Sequence, residues 1–132
     1  MPDTNNPVYM TNTFSALFIM VITICLSVQA SAQKITTKFY DREWNECEIS
    51  LARFFSTIEQ TDSGWFRNNY YASTNGLKMQ GLFKDSLCKI KNGGFLYFFA
   101  NDNLESTGRY LDNKLEGVYI RYHNNGMMAD SG

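Results

Sequence analysis

The feature that most constrains this chain is an internal repeat in its C-terminal two thirds. Three segments align, and they begin at Tyr71, Phe98 and Tyr122, with offsets of 27 and 24 residues. In each segment a leucine or methionine follows six residues later and a glycine follows ten residues later. A chain that repeats a short unit builds its fold from copies of one supersecondary element. The fold is therefore expected to consist of similar, adjacent units.

Each unit contains two short strands and two turns. Gly93 to Phe98 matches Gly117 to Tyr122 at an offset of 24, which marks the second half of the unit. Asn, Asp and Gly, which tolerate the positive φ of tight hairpins, are enriched at the predicted turns. These turns lie at residues 73–76, 91–94, 101–103, 112–114 and 124–126. The segments between them have strand length and are rich in Tyr, Phe and Leu.

This pattern predicts an all-β fold, an antiparallel meander of repeated β-hairpins with about eight strands. Residues 33–64 are expected to form an N-terminal β segment. Residues 65–132 are expected to carry about 2.5 hairpin repeats, with the last one incomplete.

The two-residue period of a strand assigns side chains to faces. Five residues are expected to share the outer face, and their aromatic rings would form a contact surface. They are Phe95, Tyr97, Phe99, Tyr119 and Arg121. If another layer covers this face, the same rings are core. On the partner strands, Gly81 and Gly108 leave gaps in which a large ring from a neighbouring strand can lie against backbone.

The N-terminal sequence has the pattern of an export signal. Residues 14–28 are apolar and uncharged, too short for a span of about 20 residues but suited to the apolar region of a signal peptide. Ala30-Ser31-Ala32 is a small-x-small cleavage pattern. We therefore predict that residues 1–32 form a signal-peptide helix and that the protein is exported to the periplasm, the outer membrane or the medium. Residues 1–13 contain no Lys or Arg, so an uncleaved anchor helix stays an alternative.

Export bears on the two cysteines that remain, Cys47 and Cys88. An oxidising compartment permits a disulfide between them. Two free thiols are the alternative, because the sequence does not give the Cα separation that a disulfide needs.

Charge and residue types argue against nucleic-acid binding and catalysis. The chain has 12 basic and 13 acidic residues and a net charge of −1, so it lacks the basic surface that nucleic acid requires. It has one histidine and three cysteines. His123 has no catalytic companion at motif spacing, and the acidic group from Asp41 to Glu48 lacks a calcium-loop pattern. No enzyme, metal or cofactor is predicted.

Two elements resemble a known family. They are Tyr40-Asp41-Arg42-Glu43-Trp44 and the run from Tyr70 to Gly81, which reads Tyr-Tyr-x-Ser-x-x-Gly-Leu-x-Met-x-Gly. Together with the repeat, they resemble the bacterial variant of the membrane occupation and recognition nexus (MORN) repeat, as found in exported proteins of Bacteroidetes-type bacteria.

The resemblance implies a non-catalytic module for protein interaction or structure at the cell envelope. Relatives are described as antitoxin-like or as N-terminal regions of TonB-like energy transducers, and both roles stay open here. A protein partner is expected. Peripheral membrane contact is also possible through Lys84, Lys89 and Lys91, although such binding usually needs about four to eight basic residues.

Overall fold

Among the described residues, all eight strands form a single antiparallel sheet. The computed structural model describes residues 33–132, and the predicted signal peptide lies outside them. The strands are β1 (Ile35–Tyr40), β2 (Phe54–Thr61), β3 (Gly64–Tyr71), β4 (Leu77–Phe83), β5 (Lys91–Phe98), β6 (Leu104–Leu111), β7 (Lys114–Tyr122) and β8 (Met128–Ser131). Each strand pairs with the next in chain order. The prediction of an all-β meander is confirmed.

Four of the five predicted turns, at residues 73–76, 101–103, 112–114 and 124–126, join strands, but the turn predicted at residues 91–94 is wrong because these residues lie in β5. The chain turns earlier, at residues 84–90, where the Asp85 carboxylate accepts hydrogen bonds from the N–H groups of Lys89 and Ile90.

The β6–β7 hairpin turns at Asp112 and Asn113, whose φ angles of 47° and 68° are both in the left-handed region. Two positive φ angles in succession match the twist of a tight hairpin. Asn75 and Asp102 take positive φ in the turns after β3 and β5. These residue types accept this conformation because their short polar side chains reduce its cost.

The strand pairing repeats along with the sequence, with one correction to the alignment. A register shift follows Asn69 in β3, Tyr97 in β5 and Arg121 in β7. The structural equivalents are therefore Tyr70, Phe98 and Tyr122, rather than Tyr71, Phe98 and Tyr122. The cause is the first turn, in which Tyr71 N–H bonds the carbonyl of Gly76, five residues on. The later turns close four residues on, at Asn103 and Met127.

The hydrophobic core lies on one face of the sheet, and we call it the core face. It contains the paired row formed by Ser56, Asn69, Met79, Tyr97, Ser106 and Arg121. We call the opposite side of the sheet the outer face. Phe95 lies in the next row of the core face, paired with Gly81 and Gly108, and it is 0% exposed.

The mid-strand glycines create the space for this core. A Cβ atom at Gly81 would lie 2.1 Å from the ring of Phe95, and one at Gly108 would lie 2.9 Å from the ring of Tyr119. The rings of Phe83 and Tyr110 pack edge-on against Phe95 at 5.1 and 5.4 Å. Large rings over glycines thus let one sheet bury apolar surface on a single face.

Candidate interaction face

The five residues predicted as an outer interaction surface lie on the core face. Tyr97 pairs with Ser106 and Ser106 pairs with Arg121, which places these side chains on one side of the sheet. Phe95 is fully buried there and is unavailable to a partner, so its assignment to an exposed surface is corrected. The physical reason is the pair of glycines beside it, which allow the ring to sink against backbone.

The remaining four residues differ in exposure. Tyr97, Phe99 and Tyr119 are half-buried and Arg121 is exposed. Arg121 is engaged within the sheet, because its Nε donates to Asp130 Oδ1 at 2.9 Å and its second nitrogen also bonds that carboxylate. The Arg121 hydrogen bond lowers the pKa of Asp130. The charge of Arg121 is therefore already matched inside the chain.

A second group of rings gathers at the β1–β4 end of the core face, and we call it the aromatic cluster. Its members are Tyr40, Trp44, Phe54 and Tyr71. Trp44 stacks on Phe54 with ring centroids 4.4 Å apart and an interplanar angle of 3°. Tyr40 lies 5.5 Å from Trp44, and Tyr71 lies 6.0 Å from Phe54. Trp44 is 37% exposed, so this cluster faces solvent where Phe95 does not.

The loop after β1 holds Trp44 in place. Trp44 has a φ of 65°, which is unusual for a large side chain. The Asp41 carboxylate accepts hydrogen bonds from the backbone N–H groups of Glu43 and Asn45, both at 2.9 Å. The bond from Asn45 is the main cause that lowers the pKa of Asp41. Asp41 therefore acts as a turn-forming residue.

Two cations stand over the aromatic cluster. The guanidinium carbon of Arg67 is 5.3 Å from the ring centroid of Tyr40. The Nζ of Lys78 is 5.0 Å from the centroid of Tyr71 and 5.6 Å from that of Phe54. Within residues 33–132, no carboxylate oxygen lies within 4.0 Å of the charged nitrogens of Arg67 or Lys78. Both half-buried cations are thus stabilised by ring faces rather than by ion pairs.

A buried hydrogen-bond network orients Arg67. Its Nε donates to Asn69 Oδ1 at 2.8 Å, and its NH2 group donates to Ser56 Oγ at 2.9 Å. Ser56 Oγ in turn donates to the same Asn69 oxygen at 2.7 Å, and both Ser56 and Asn69 are buried. Satisfied buried polar groups fix a side chain in one conformation. The Arg67 guanidinium is therefore held rigidly beside Tyr40.

Lys91 is a third cation on the core face, and three aromatic rings surround its ammonium group. Lys91 Nζ lies 4.6 Å from the ring centroid of Tyr110 and 5.1 Å from that of Phe95. It also donates a hydrogen bond to the Tyr97 hydroxyl at 2.7 Å. These contacts leave Lys91 tied into the core, in contrast to Lys78.

Both cysteines of the described chain are free thiols, Cys47 half-buried and Cys88 buried. Cys88 packs into the core face with Met79 and Phe95, whereas Cys47 borders a pocket with Phe39 and Ile49 on the outer face. Burial raises the pKa of Cys88. The disulfide alternative is therefore not formed in this structure, and the sheet separates the two residues.

The other candidates have structural partners. Glu46 forms an ion pair with Lys38 at 3.1 Å, and Asp41 caps its own turn. His123 closes the β7–β8 turn through its backbone. No group of three or more metal-ligating side chains occurs among residues 33–132. In the same stretch, no helix has the length and apolar character to cross a membrane.

Sequence reasoning identified Tyr40 and Trp44 only as parts of a motif and missed their association with Arg67 and Lys78. The irregularity between β3 and β4 made Lys78 hard to place, because Leu77 pairs with Tyr70 while Met79 pairs with Asn69. An alternating pattern assumes regular pairing, so it does not assign Lys78 to the core face. Comparison with protein families, with curated proteins and with solved structures gave no match for this chain.

Proposed function

We propose that this chain is a non-catalytic, exported interaction module that binds an acidic segment of a partner protein at the cell envelope. The binding surface is the aromatic cluster together with Arg67 and Lys78. The observation that carries the proposal is that both cations stand over rings with no carboxylate in ion-pair range in the described chain. Export is supported by the apolar run and small-x-small pattern before Gln33.

The pairing of charges elsewhere supports an acidic partner. Ion pairs in residues 33–132 engage other basic residues, namely Lys38, Lys84, Arg109 and Arg121. Arg67, Lys78 and Lys91 instead contact rings and neutral groups, but Lys91 is tied into the core by Tyr97, which leaves Arg67 and Lys78 at the aromatic cluster. A cation beside apolar rings attracts a carboxylate more strongly than a cation in bulk water, because the rings lower the local dielectric constant. Aromatic residues and arginine are also the residues that dominate binding energy at interfaces.

The shape of the surface favours a protein segment. The aromatic cluster spans residues from β1, β2, β3 and the loop after β1, so it is broad rather than enclosed. A broad surface with a central aromatic group and flanking cations suits an extended acidic peptide. The assignment to MORN-like repeats belongs to this proposal, and the regular hairpin meander with its repeated register shifts supports it.

The test uses two blocked peptides, Glu-Glu-Tyr-Glu-Glu and Lys-Lys-Tyr-Lys-Lys, titrated into the 15N-labelled protein. We expect the acidic peptide to shift the backbone amide signals of Trp44, Phe54 and Lys78, and the basic peptide to leave them in place. Higher salt is expected to weaken binding of the acidic peptide, because salt screens exposed charges.

The matched variants are Lys78→Gln and Lys89→Gln. Lys78→Gln is expected to weaken binding of the acidic peptide about tenfold, since it removes one charge-assisted contact. Lys89 is exposed in the β4–β5 loop, and no ring of the aromatic cluster lies within cation–π range of it, so Lys89→Gln is expected to bind as the unmodified protein does. Equal binding of the two peptides, or an equal effect of the two variants, would contradict the proposal.

A further inference from the structure

A cavity on the outer face lies outside the proposed interaction surface. It has a volume of about 500 Å³ and lies between β1, the 3-10 turn at Ile49–Leu51, β2 and the β3–β4 turn. This volume is within the range of small-molecule sites, roughly 300 to 1,000 Å³. Phe39 and Phe55 form its aromatic floor, and Ile49 forms a wall. The aromatic cluster uses the opposite face of the same strands, so the two surfaces are separate.

The floor of the cavity is rigid. Phe55 is stacked on Tyr70 with centroids 4.8 Å apart and an interplanar angle of 16°. Phe39 pairs with Phe55 across β1 and β2, and their rings lie 6.3 Å apart. A floor fixed by stacking needs little reorganisation when a ligand binds, which favours affinity. Ile49 is 69% exposed, so its side chain offers uncovered apolar surface at the rim.

One positive charge borders this apolar space. Arg53 lines the cavity, and its backbone is fixed because its N–H bonds the Tyr40 carbonyl and its carbonyl accepts from Ala72 N–H. In residues 33–132, no carboxylate oxygen lies within 4.0 Å of the Arg53 guanidinium. Ser73 and Asn75 add a hydroxyl and an amide to the same rim.

We infer that this cavity binds a small amphiphilic carboxylate, with its apolar or aromatic body on Phe39 and Phe55 and its carboxylate on Arg53. The floor accounts for the apolar part of the ligand, because burying carbon surface against rings removes it from water. Arg53 accounts for the anionic part, because a guanidinium binds a carboxylate through two parallel hydrogen bonds. Neither the aromatic floor nor Arg53 alone would select an amphiphilic carboxylate, whereas the two together in one cavity do.

The experiment compares 4-phenylbutyrate with 4-phenylbutanol, which share a body and differ in charge. Both are titrated into the 15N-labelled protein. The acid is expected to shift the amide signals of Ala52, Arg53, Phe55 and Ser73 and to bind about tenfold more tightly than the alcohol. Equal affinities for the two compounds, or shifts confined to the aromatic cluster, would overturn the inference.

Four variants sharpen the test. Arg53→Gln is expected to abolish the difference between acid and alcohol, whereas Arg109→Gln, which alters an exposed arginine paired with Glu116, is expected to preserve it. Ile49→Ser is expected to weaken binding of both compounds equally. Because the Ile49 side chain is exposed, the substitution is compatible with folding. An Arg53→Gln protein that still prefers the acid would contradict the assignment of the carboxylate to Arg53. Because the acidic peptide binds the core face, Lys78→Gln is expected to leave phenylbutyrate binding unchanged.

Discussion

Phe95 and Tyr119 occupy equivalent positions in successive repeat units, yet their surroundings differ. Each ring lies over a mid-strand glycine, Gly81 for Phe95 and Gly108 for Tyr119. Phe95 also has Phe83 and Tyr110 edge-on against it and is 0% exposed. Tyr119 lies in β7, close to the last described strand, and is only half-buried. The burial of such a ring in this fold is thus set by the other rings that pack against it.

The same contrast extends to whole strands. β4 alternates buried and half-buried residues, whereas every residue of β8 is exposed. Val118 in β7 is 62% exposed and Met128 in β8 is 63% exposed. In repeat proteins each unit is stabilised mainly by its neighbours, so stability varies along the array. We therefore expect β3–β6 to be the stable centre and β7–β8 to be the weaker end.

The largest expected effect comes from removing the central ring. Phe95→Ala is expected to lower the free energy of unfolding by about 4 kcal/mol, because it deletes a fully buried ring and leaves a cavity. Tyr119→Ala removes a half-buried ring and is expected to cost about 1 kcal/mol. Urea unfolding of both variants measures the two losses. Similar losses would contradict the contrast between the two units.

A smaller effect is expected from adding one methyl group. Gly81→Ala places a Cβ atom 2.1 Å from the Phe95 ring, so overpacking is expected to cost about 2 kcal/mol. Gly94→Ala is the matched control, since nothing lies within 4 Å of a Cβ atom there. Thermal unfolding compares the two. If Gly81→Ala is as stable as Gly94→Ala, the role assigned to the glycine gap is wrong.

The smallest effect concerns the ion pair at the weak end. The Arg121 hydrogen bond lowers the pKa of Asp130 in the folded protein. A carboxyl with a depressed folded pKa stabilises the fold above its unfolded pKa, about 4, and this contribution is lost as the pH falls through the folded value. Asp130→Asn is therefore expected to lower Tm slightly at pH 7 and not at pH 2. A Tm difference that persists at pH 2 would show that Asp130 acts through something other than its charge.

Much of the fold could be predicted from the sequence, because its signals are local. Asn, Asp and Gly marked four of the five predicted turns, although Gly93 and Gly94 lie in β5, and Gly81 and Gly108 marked the gaps that large rings fill. The alignment of the first repeat was harder to predict. One extra residue in its turn makes Tyr70, rather than Tyr71, equivalent to Phe98 and Tyr122, and both candidates are aromatic. Local patterns do not reveal such insertions when both candidate residues are tyrosines.

The candidate sites were less predictable, because they depend on tertiary packing. The two-residue period of a strand correctly placed Phe95 and Tyr97 on the same face. Whether those rings are exposed depends on which face of the sheet carries the core, and the period does not show that. The aromatic cluster joins residues as distant in sequence as Tyr40 and Lys78, and the irregular β3–β4 register brings Lys78 into it. The outer cavity depends on how the segment before β2 folds back, which no repeat or motif specifies.

Hydrogen exchange of the backbone amides, measured in the native protein by NMR, tests the contrast between centre and end most directly. Amides buried in well-packed strands exchange only through larger unfolding events, whereas those of weakly packed strands exchange through local opening. We predict the slowest exchange in β4 and β5, around Gly81 and Phe95, and markedly faster exchange in β7 and β8. Equal protection along the sheet, or slower exchange in β8 than in β4, would contradict a core centred on Phe95.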